Sequence, residues 1–134
     1  MSESQVDIAE LLRVAEQAQK MAYVPYSRFA VGAALLTADG TIYAGCNVEN
    51  ASYGLTICAE RNALAHAVLR GAKQFTAVAV VTENGVTPCG ACRQVLAEFG
   101  PRMMVIVADT RGNRRIYSLA ELLPAAFGPG HLQK

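Results

Sequence analysis

The residues of this 134-residue chain best suited to chemistry are its four cysteines, Cys46, Cys58, Cys89 and Cys92. Cys89-Gly90-Ala91-Cys92 follows Pro88 at a predicted helix start, so its two thiols lie on one face of a first turn. Alone, that spacing suits a redox pair, half of a structural zinc site or two small core residues. Cys58 adds a third thiol at the start of another predicted helix, where the positive end of the helix dipole favours thiolate over thiol. Three thiolates leave one position of a tetrahedral zinc open, as in a catalytic site, whereas a structural site uses a fourth protein ligand. Cys46, on a predicted strand, reads as a small buried residue. His66 lies about 12 Å along the helix axis from Cys58, too far to share a metal. His131 carries no signal.

Glu60 turns a metal site into a reaction. Residues two apart on an ideal helix point to nearly opposite sides, so Cys58 and Glu60 face one metal only if Cys58 occupies the non-helical cap position. A glutamate held there takes a proton from a metal-activated water and hands it to a substrate. Zinc with three thiolates carries a net negative charge, which weakens its acidifying effect on water. Two helix termini and Arg61, donating hydrogen bonds to thiolates, are the expected compensators.

The elements that must position these groups follow from periodicity. Ile8, Leu11, Leu12, Ala15, Ala18 and Ala22 recur at helical steps between Asp7 and Ala22. Phe29–Thr37 and Thr41–Asn47 flank Ala38-Asp39-Gly40, the turn of an antiparallel hairpin. Ala59–Arg70 reads as a helix closed by Gly71, with Ala63, Leu64, Ala67 and Val68 facing the sheet. Phe75–Thr82 and Met103–Ala108 are apolar runs expected of strands covered on both faces. Pro88–Phe99 is a second helix between them, Arg114–Tyr117 a short strand, and Ser118 with Glu121 caps a last helix over Leu119–Leu123. Strands alternating with helices imply an α/β fold.

Composition bounds the function. Hydrophobic residues make up 52% and charged residues 17% of the chain, which excludes a disordered polypeptide. A formal net charge of +1 provides no field to hold a nucleic acid or an acidic membrane. Arg111, Arg114 and Arg115 cluster in one turn without interleaved aromatics and read as a solvated hairpin. Met1-Ser2-Glu3-Ser4-Gln5-Val6-Asp7 lacks the basic and apolar regions of a signal peptide, and no apolar run approaches the roughly 18 residues of a membrane helix. Free thiols then suggest a reducing, cytoplasmic compartment. The length suits one domain, residues 1–134, with surface left over for a partner chain.

Cys58-Ala59-Glu60 followed by Pro88-Cys89-Gly90-Ala91-Cys92 resembles the signature of zinc nucleoside and nucleobase deaminases in its three-cysteine form. Within that group the chain is similar to the small homotetrameric cytidine deaminases. The likeness extends over Pro25-Tyr26-Ser27-Arg28-Phe29-Ala30-Val31-Gly32-Ala33-Ala34, over Gly45-Cys46-Asn47-Val48-Glu49-Asn50-Ala51-Ser52-Tyr53, and over Glu121-Leu122-Leu123-Pro124 with Phe127-Gly128-Pro129. It implies a three-layer α-β-α sandwich around a mixed sheet of about five strands, with zinc at the amino termini of two helices. It further implies that Cys58, Cys89 and Cys92 hold one zinc per chain and that Glu60 is the proton shuttle. Asn47 and Glu49 would bind ribose hydroxyls, Phe29 would pack on the pyrimidine, and Ala59 would line the base pocket. Tyr53 and Phe127 would reach the active sites of neighbouring subunits.

The reaction implied is hydrolytic deamination of cytidine or 2'-deoxycytidine to the uridine nucleoside and ammonia, within pyrimidine salvage. The residue types suit these roles: a carboxylate accepts two hydrogen bonds from a diol, an amide offers donor and acceptor, and a phenyl ring gives a flat wall for a base. Two alternatives stand beside it. A blasticidin-type deaminase shares size and zinc motifs but lacks the Asn47-Val48-Glu49 stretch, and a non-enzymatic structural-zinc or thiol-redox protein would use the same cysteines otherwise.

Overall fold

A computed structural model describes residues 6–132, so Met1–Gln5 of the amino-terminal reading lie outside the described residues. The first helix, α1, runs Ile8–Gln19, capped by the Asp7 carboxylate, which accepts from Glu10 N at 3.1 Å. It ends before the expected Ala22. Lys20, Met21 and Ala22 turn back in tight i→i+3 bonds, and Tyr23 N leaves to pair with Asn47 O at 3.0 Å.

Strands β1 (Gly32–Thr37) and β2 (Ile42–Cys46) form the expected antiparallel hairpin. Its turn is closed by Asp39, whose carboxylate accepts from the Thr37 hydroxyl and from Thr41 N. Gly40 supplies the φ of +92° that the turn requires. Helix α2 (Ala59–Leu69) follows, then β3 (Phe75–Val81), α3 (Gly90–Ala97), β4 (Met104–Ala108), β5 (Arg114–Ser118) and α4 (Leu119–Leu122). The sheet order is β2-β1-β3-β4-β5. Only β3 and β4 pair in parallel, joined through α3; the other pairs are antiparallel, so the sheet is mixed.

The sheet is covered on both faces, which makes the expected three layers. Ala34, Leu36, Ala77, Ala79, Val81 and Ile106 pack against Leu11 and Ala15 of α1. Ala33, Leu35, Val78, Val80, Val105 and Val107 pack on the other face against Ala63, Leu64 and Ala67 of α2 and Leu96 of α3. Each fully buried leucine here contributes about 1.5–3 kcal/mol of transfer free energy. Val68, expected in this layer, is instead 37% exposed, because it lies at the edge of the buried face of α2, one turn beyond Leu64 and turned furthest from Ala63. Ser118 and Glu121 form the expected reciprocal cap of α4.

Two glycines set how closely helices approach the hairpin. A Cβ on Gly32 would lie 1.9 Å from Ala15 O of α1. One on Gly45 would lie 2.4 Å from Ala63 N and 2.5 Å from Ala59 O, in the first turns of α2. The bare backbone of β2 thus seats the helix end that carries Cys58 and Glu60.

Candidate active site

Cys58 is the N-cap of α2, with φ −68° and ψ 154°. This extended cap conformation turns its thiol toward the side that Glu60 also reaches, the condition on which a shared site depends. Cys58 makes no side-chain cap bond, so its sulfur remains free for a ligand. Cys89 is the N-cap of α3, its Sγ accepting from Cys92 N at 3.4 Å. Helix α3 therefore starts at Gly90 rather than at Pro88, which lies outside as the residue before the cap.

The Sγ atoms of Cys58, Cys89 and Cys92 all lie within 4.8 Å of one another. Cys58 and Cys89 are 3.8 Å apart and Cys89 and Cys92 3.3 Å. A tetrahedral zinc with bonds of about 2.3 Å separates its sulfurs by roughly 3.8 Å, so this donor set fits zinc after a small opening of the Cys89–Cys92 pair. Cys46 is half-buried at the end of β2 rather than fully buried, paired with Gly32 in the hairpin, and its carbonyl accepts from Asn62 Nδ2 at 2.8 Å. Among the described residues neither Cys46 nor His66 joins the cluster; the His66 ring is exposed and packs edge-on against Tyr43.

Electrostatics divide the thiols. Cys58 is pulled down to about 5, first by a hydrogen bond from Cys92, then by donation from Arg61 against the cost of burial. Cys92 is pushed up by the same Cys58 hydrogen bond and by burial beside Glu60. The directions mark Cys58, with Arg61 beside it, as the thiol most readily ionised in the metal-free cluster. Arg61 sends Nη2 to Cys58 Sγ at 3.6 Å and to Thr56 O at 3.5 Å, while its buried Nε has no protein partner. Glu60 is 4% exposed, and burial, its largest influence, raises its carboxyl to about 7.

Cys58, Cys89 and Glu60 line the floor of a cavity of about 310 Å³ whose wall includes Phe29, Asn47, Glu49, Ala59, Val80 and Thr82. Buried Asn47 joins the wall to the hairpin: Nδ2 donates to Phe29 O and Oδ1 accepts from Val31 N, both at 2.9 Å. One N–H of the amide is left for a ligand. These bonds, Gln19 Nε2 donating to Ala30 O at 3.1 Å and a single backbone bond from Asn47 N to Val31 O hold residues 29–31 in place of a regular ladder, and β1 begins at Gly32 rather than at Phe29. Arg28 turns the chain into Phe29 with φ +58°, a strained value for a non-glycine residue.

Glu49 is held by residues that sequence reasoning missed as a site element. Its Oε1 accepts from Tyr26 N and Ser27 N, each at 3.1 Å, and Oε2 accepts from the Ser27 hydroxyl. The Ser27 hydroxyl is the main cause that keeps this carboxyl below the usual range. Thr56, Val86 and Thr87 also line the cavity without a signal in their spacing. Tyr53 and Phe127 are not brought to the floor. Tyr53, 73% exposed, stacks obliquely on Tyr26 beside a second hollow that also touches Glu49. Phe127, 57% exposed, stacks on His131 in the carboxy-terminal segment.

Known proteins match both the chain and this geometry. The cytidine deaminase of Sporosarcina psychrophila is 51% identical over 125 residues, covering 91% of this chain and 92% of its own. The probable cytidine deaminase of Dictyostelium discoideum is 45% identical over 127 residues, covering 92% and 86%. The crystal structure of the cytidine deaminase from Burkholderia pseudomallei superposes with a TM-score of 0.88 at 49% identity, over 91% of this chain and 100% of that one. That from Mycobacterium tuberculosis gives 0.81 at 46% identity, over 92% and 98%. The model of the cytidine and deoxycytidylate deaminase zinc-binding region matches residues 5–108, which span all three clustered thiols and Glu60. With that match laid over three sulfurs already spaced for one zinc, the chain belongs to the cytidine and deoxycytidylate deaminase family.

Proposed function

We propose that this enzyme hydrolyses the exocyclic amine of cytidine and 2'-deoxycytidine, releasing uridine or 2'-deoxyuridine and ammonia. The observation that carries the reading is Glu60, a buried carboxyl poised near 7 at the floor of a cavity whose wall offers a phenyl ring, an amide and a carboxylate. Cys58, Cys89 and Cys92 would hold zinc, which supplies the Lewis acidity that makes a water nucleophilic near neutral pH. Glu60 accepts one proton of that water as it adds to C4 of the cytosine and passes it to N3, then takes the remaining hydroxyl proton and gives it to the departing amine, leaving the C4 carbonyl and ammonia. A carboxyl near 7 accepts and releases a proton at comparable cost, as a shuttle must.

Phe29 stacks on the base, and Ala59, small and fully buried, leaves room for it. Asn47 and Glu49 receive the ribose hydroxyls, Asn47 with its remaining N–H and Glu49 with the one Oε2 lone pair that Ser27 and Tyr26 do not use. Arg61 draws charge off the Cys58 sulfur. Among the described residues the cavity wall contains no Lys, Arg or His, and Glu49 makes its outer end negative. This favours an uncharged nucleoside over a nucleotide bearing a 5'-phosphate.

The exposure of Met21, Tyr53, Leu55 and Leu69, each above 60%, supports a homotetramer whose subunits bring Tyr53 and Phe127 to neighbouring sites. Pyrimidine salvage in the cytoplasm fits a nucleoside substrate and free thiols. The test follows cytosine absorbance with cytidine, deoxycytidine and deoxycytidylate, before and after chelator treatment. Rapid loss with both nucleosides, little with the nucleotide and none after chelation is expected; no turnover of either nucleoside by zinc-loaded enzyme overturns the reading. A sedimentation mass near 14.2 kDa rather than about four times that would overturn the tetramer.

A further inference from the structure

Arg93 lies one turn into α3, outside the cavity wall, and the reaction above does not use it. Its guanidinium nevertheless makes three short hydrogen bonds in different directions. Nε donates to Pro88 O at 2.8 Å, Nη2 to Thr87 Oγ1 at 2.8 Å, and Nη1 to Leu122 O at 2.7 Å. Two of these acceptors belong to the residues immediately before Cys89. The third is the last residue of α4, where helix carbonyls lack intrahelical partners and the dipole favours a cation.

The segment between β3 and α3 needs such a tie. Beyond an isolated bridge from Asn84 to Asp109 it contains no regular element, and its first half is gathered by the Thr82 hydroxyl, which accepts from Gly85 N and Val86 N. Cys89 itself is exposed and sits on the cap of a helix of 8 residues. A rigid fork serves diverging acceptors at once, whereas a lysine ammonium is a single point charge on a flexible stem.

We infer that Arg93 is a positioning residue for the zinc ligand Cys89, bracketing the ligand loop against α4 so that metal retention depends on the docking of the carboxy-terminal segment. This rests on Cys89 holding zinc. Gln94, the next residue, also grips that segment, its Nε2 donating to Phe127 O at 2.9 Å, but among the described residues its side chain makes no hydrogen bond to the ligand loop, and so it provides a control.

The experiment measures the rate at which the zinc-loaded enzyme gives up its metal to a colorimetric chelator, well below the melting temperature recorded on the same sample. Arg93→Lys and Arg93→Met should release zinc about 10- to 100-fold faster than the parent. Thr87→Val, which removes one acceptor and keeps the charge, should accelerate release by less. Gln94→Ala should release at the parental rate, and turnover per bound zinc should stay near parental in Arg93→Lys, Arg93→Met and Gln94→Ala, none of which alters the cavity wall. Parental release from Arg93→Lys and Thr87→Val, even with a lowered melting temperature, would reduce Arg93 to a packing role and overturn the inference. Equal acceleration by Gln94→Ala would also overturn it, assigning the effect to general loosening of the segment. A parent enzyme that takes up no zinc would instead refute the metal assignment.

Discussion

Cys58, Cys89 and Cys92 stand on the first turns of two helices, whereas Phe29, Asn47 and Glu49 stand on loops that hydrogen-bond one another. The metal end draws its order from regular structure: helix caps set the sulfur directions, Gly45 seats α2 on β2, and the buried sheet lies beneath. The rim proposed for the nucleoside draws its order from side chains bonded to backbone, as in Asn47 to residues 29 and 31 and Glu49 to Tyr26 N and Ser27 N. Two of its expected members, Tyr53 and Phe127, remain largely exposed in the single chain. A metal ligand tolerates only small displacement, so it belongs on rigid elements. A rim that admits and releases a nucleoside is better built from loops.

This contrast predicts that damage to the metal end abolishes turnover while damage to the rim weakens binding. Cys92→Ser, at a fully buried position, should lose zinc by elemental analysis and all measurable activity; retained zinc would break the contrast at its strongest point. Glu60→Gln should keep zinc and nucleoside binding while kcat falls by about 10²- to 10⁴-fold, read from steady-state rates with zinc content measured alongside.

The same residue makes the metal-free protein sensitive to pH. The folded chain holds the Glu60 proton up to about 7, whereas the unfolded chain releases it near 4.5. The stabilisation from this raised value is complete below 4.5 and is lost as pH rises through 7. Chelator-treated parent should therefore lose up to about 3 kcal/mol relative to Glu60→Gln across that interval, measured by urea titration. A constant difference between the two would show that Glu60 is not desolvated.

Ser27→Ala tests the rim and should give the smallest effect. Loss of the hydroxyl lets the Glu49 carboxyl rise toward its ordinary value, so nucleoside binding should weaken at acid pH sooner than in the parent. KM should rise by about tenfold at neutral pH with kcat nearly unchanged, since a hydrogen bond to a charged group is worth about 1.5–3 kcal/mol and this one is exposed, which places it at the low end. A drop in kcat of the size expected for Glu60→Gln would erase the distinction between floor and rim.

Much of the metal end was legible in residue types and spacing, since thiols three apart at a helix start and a third before another helix admit few arrangements. The requirement that Cys58 be a cap followed from helix geometry alone, and the observed φ and ψ meet it. The rim was legible only through resemblance, because Asn47 and Glu49 read by themselves as polar residues at a strand end. Ser27 and Arg93 escaped both routes. Ser27 acts on a residue 22 positions away and Arg93 on one 29 away, and no local period encodes such pairs.

By itself the sequence determined the order of helices and strands, the hairpin turn at Asp39-Gly40 and the residues able to bind zinc, because apolar periodicity, capping and donor type act over a few residues. Only the tertiary structure decided that the three sulfurs converge, that burial lifts Glu60, that Cys46 stays apart and that α4 docks against the Cys89 loop. Those outcomes depend on how far each element is from water and from the others, distances set by the packing of the two helical layers on one sheet.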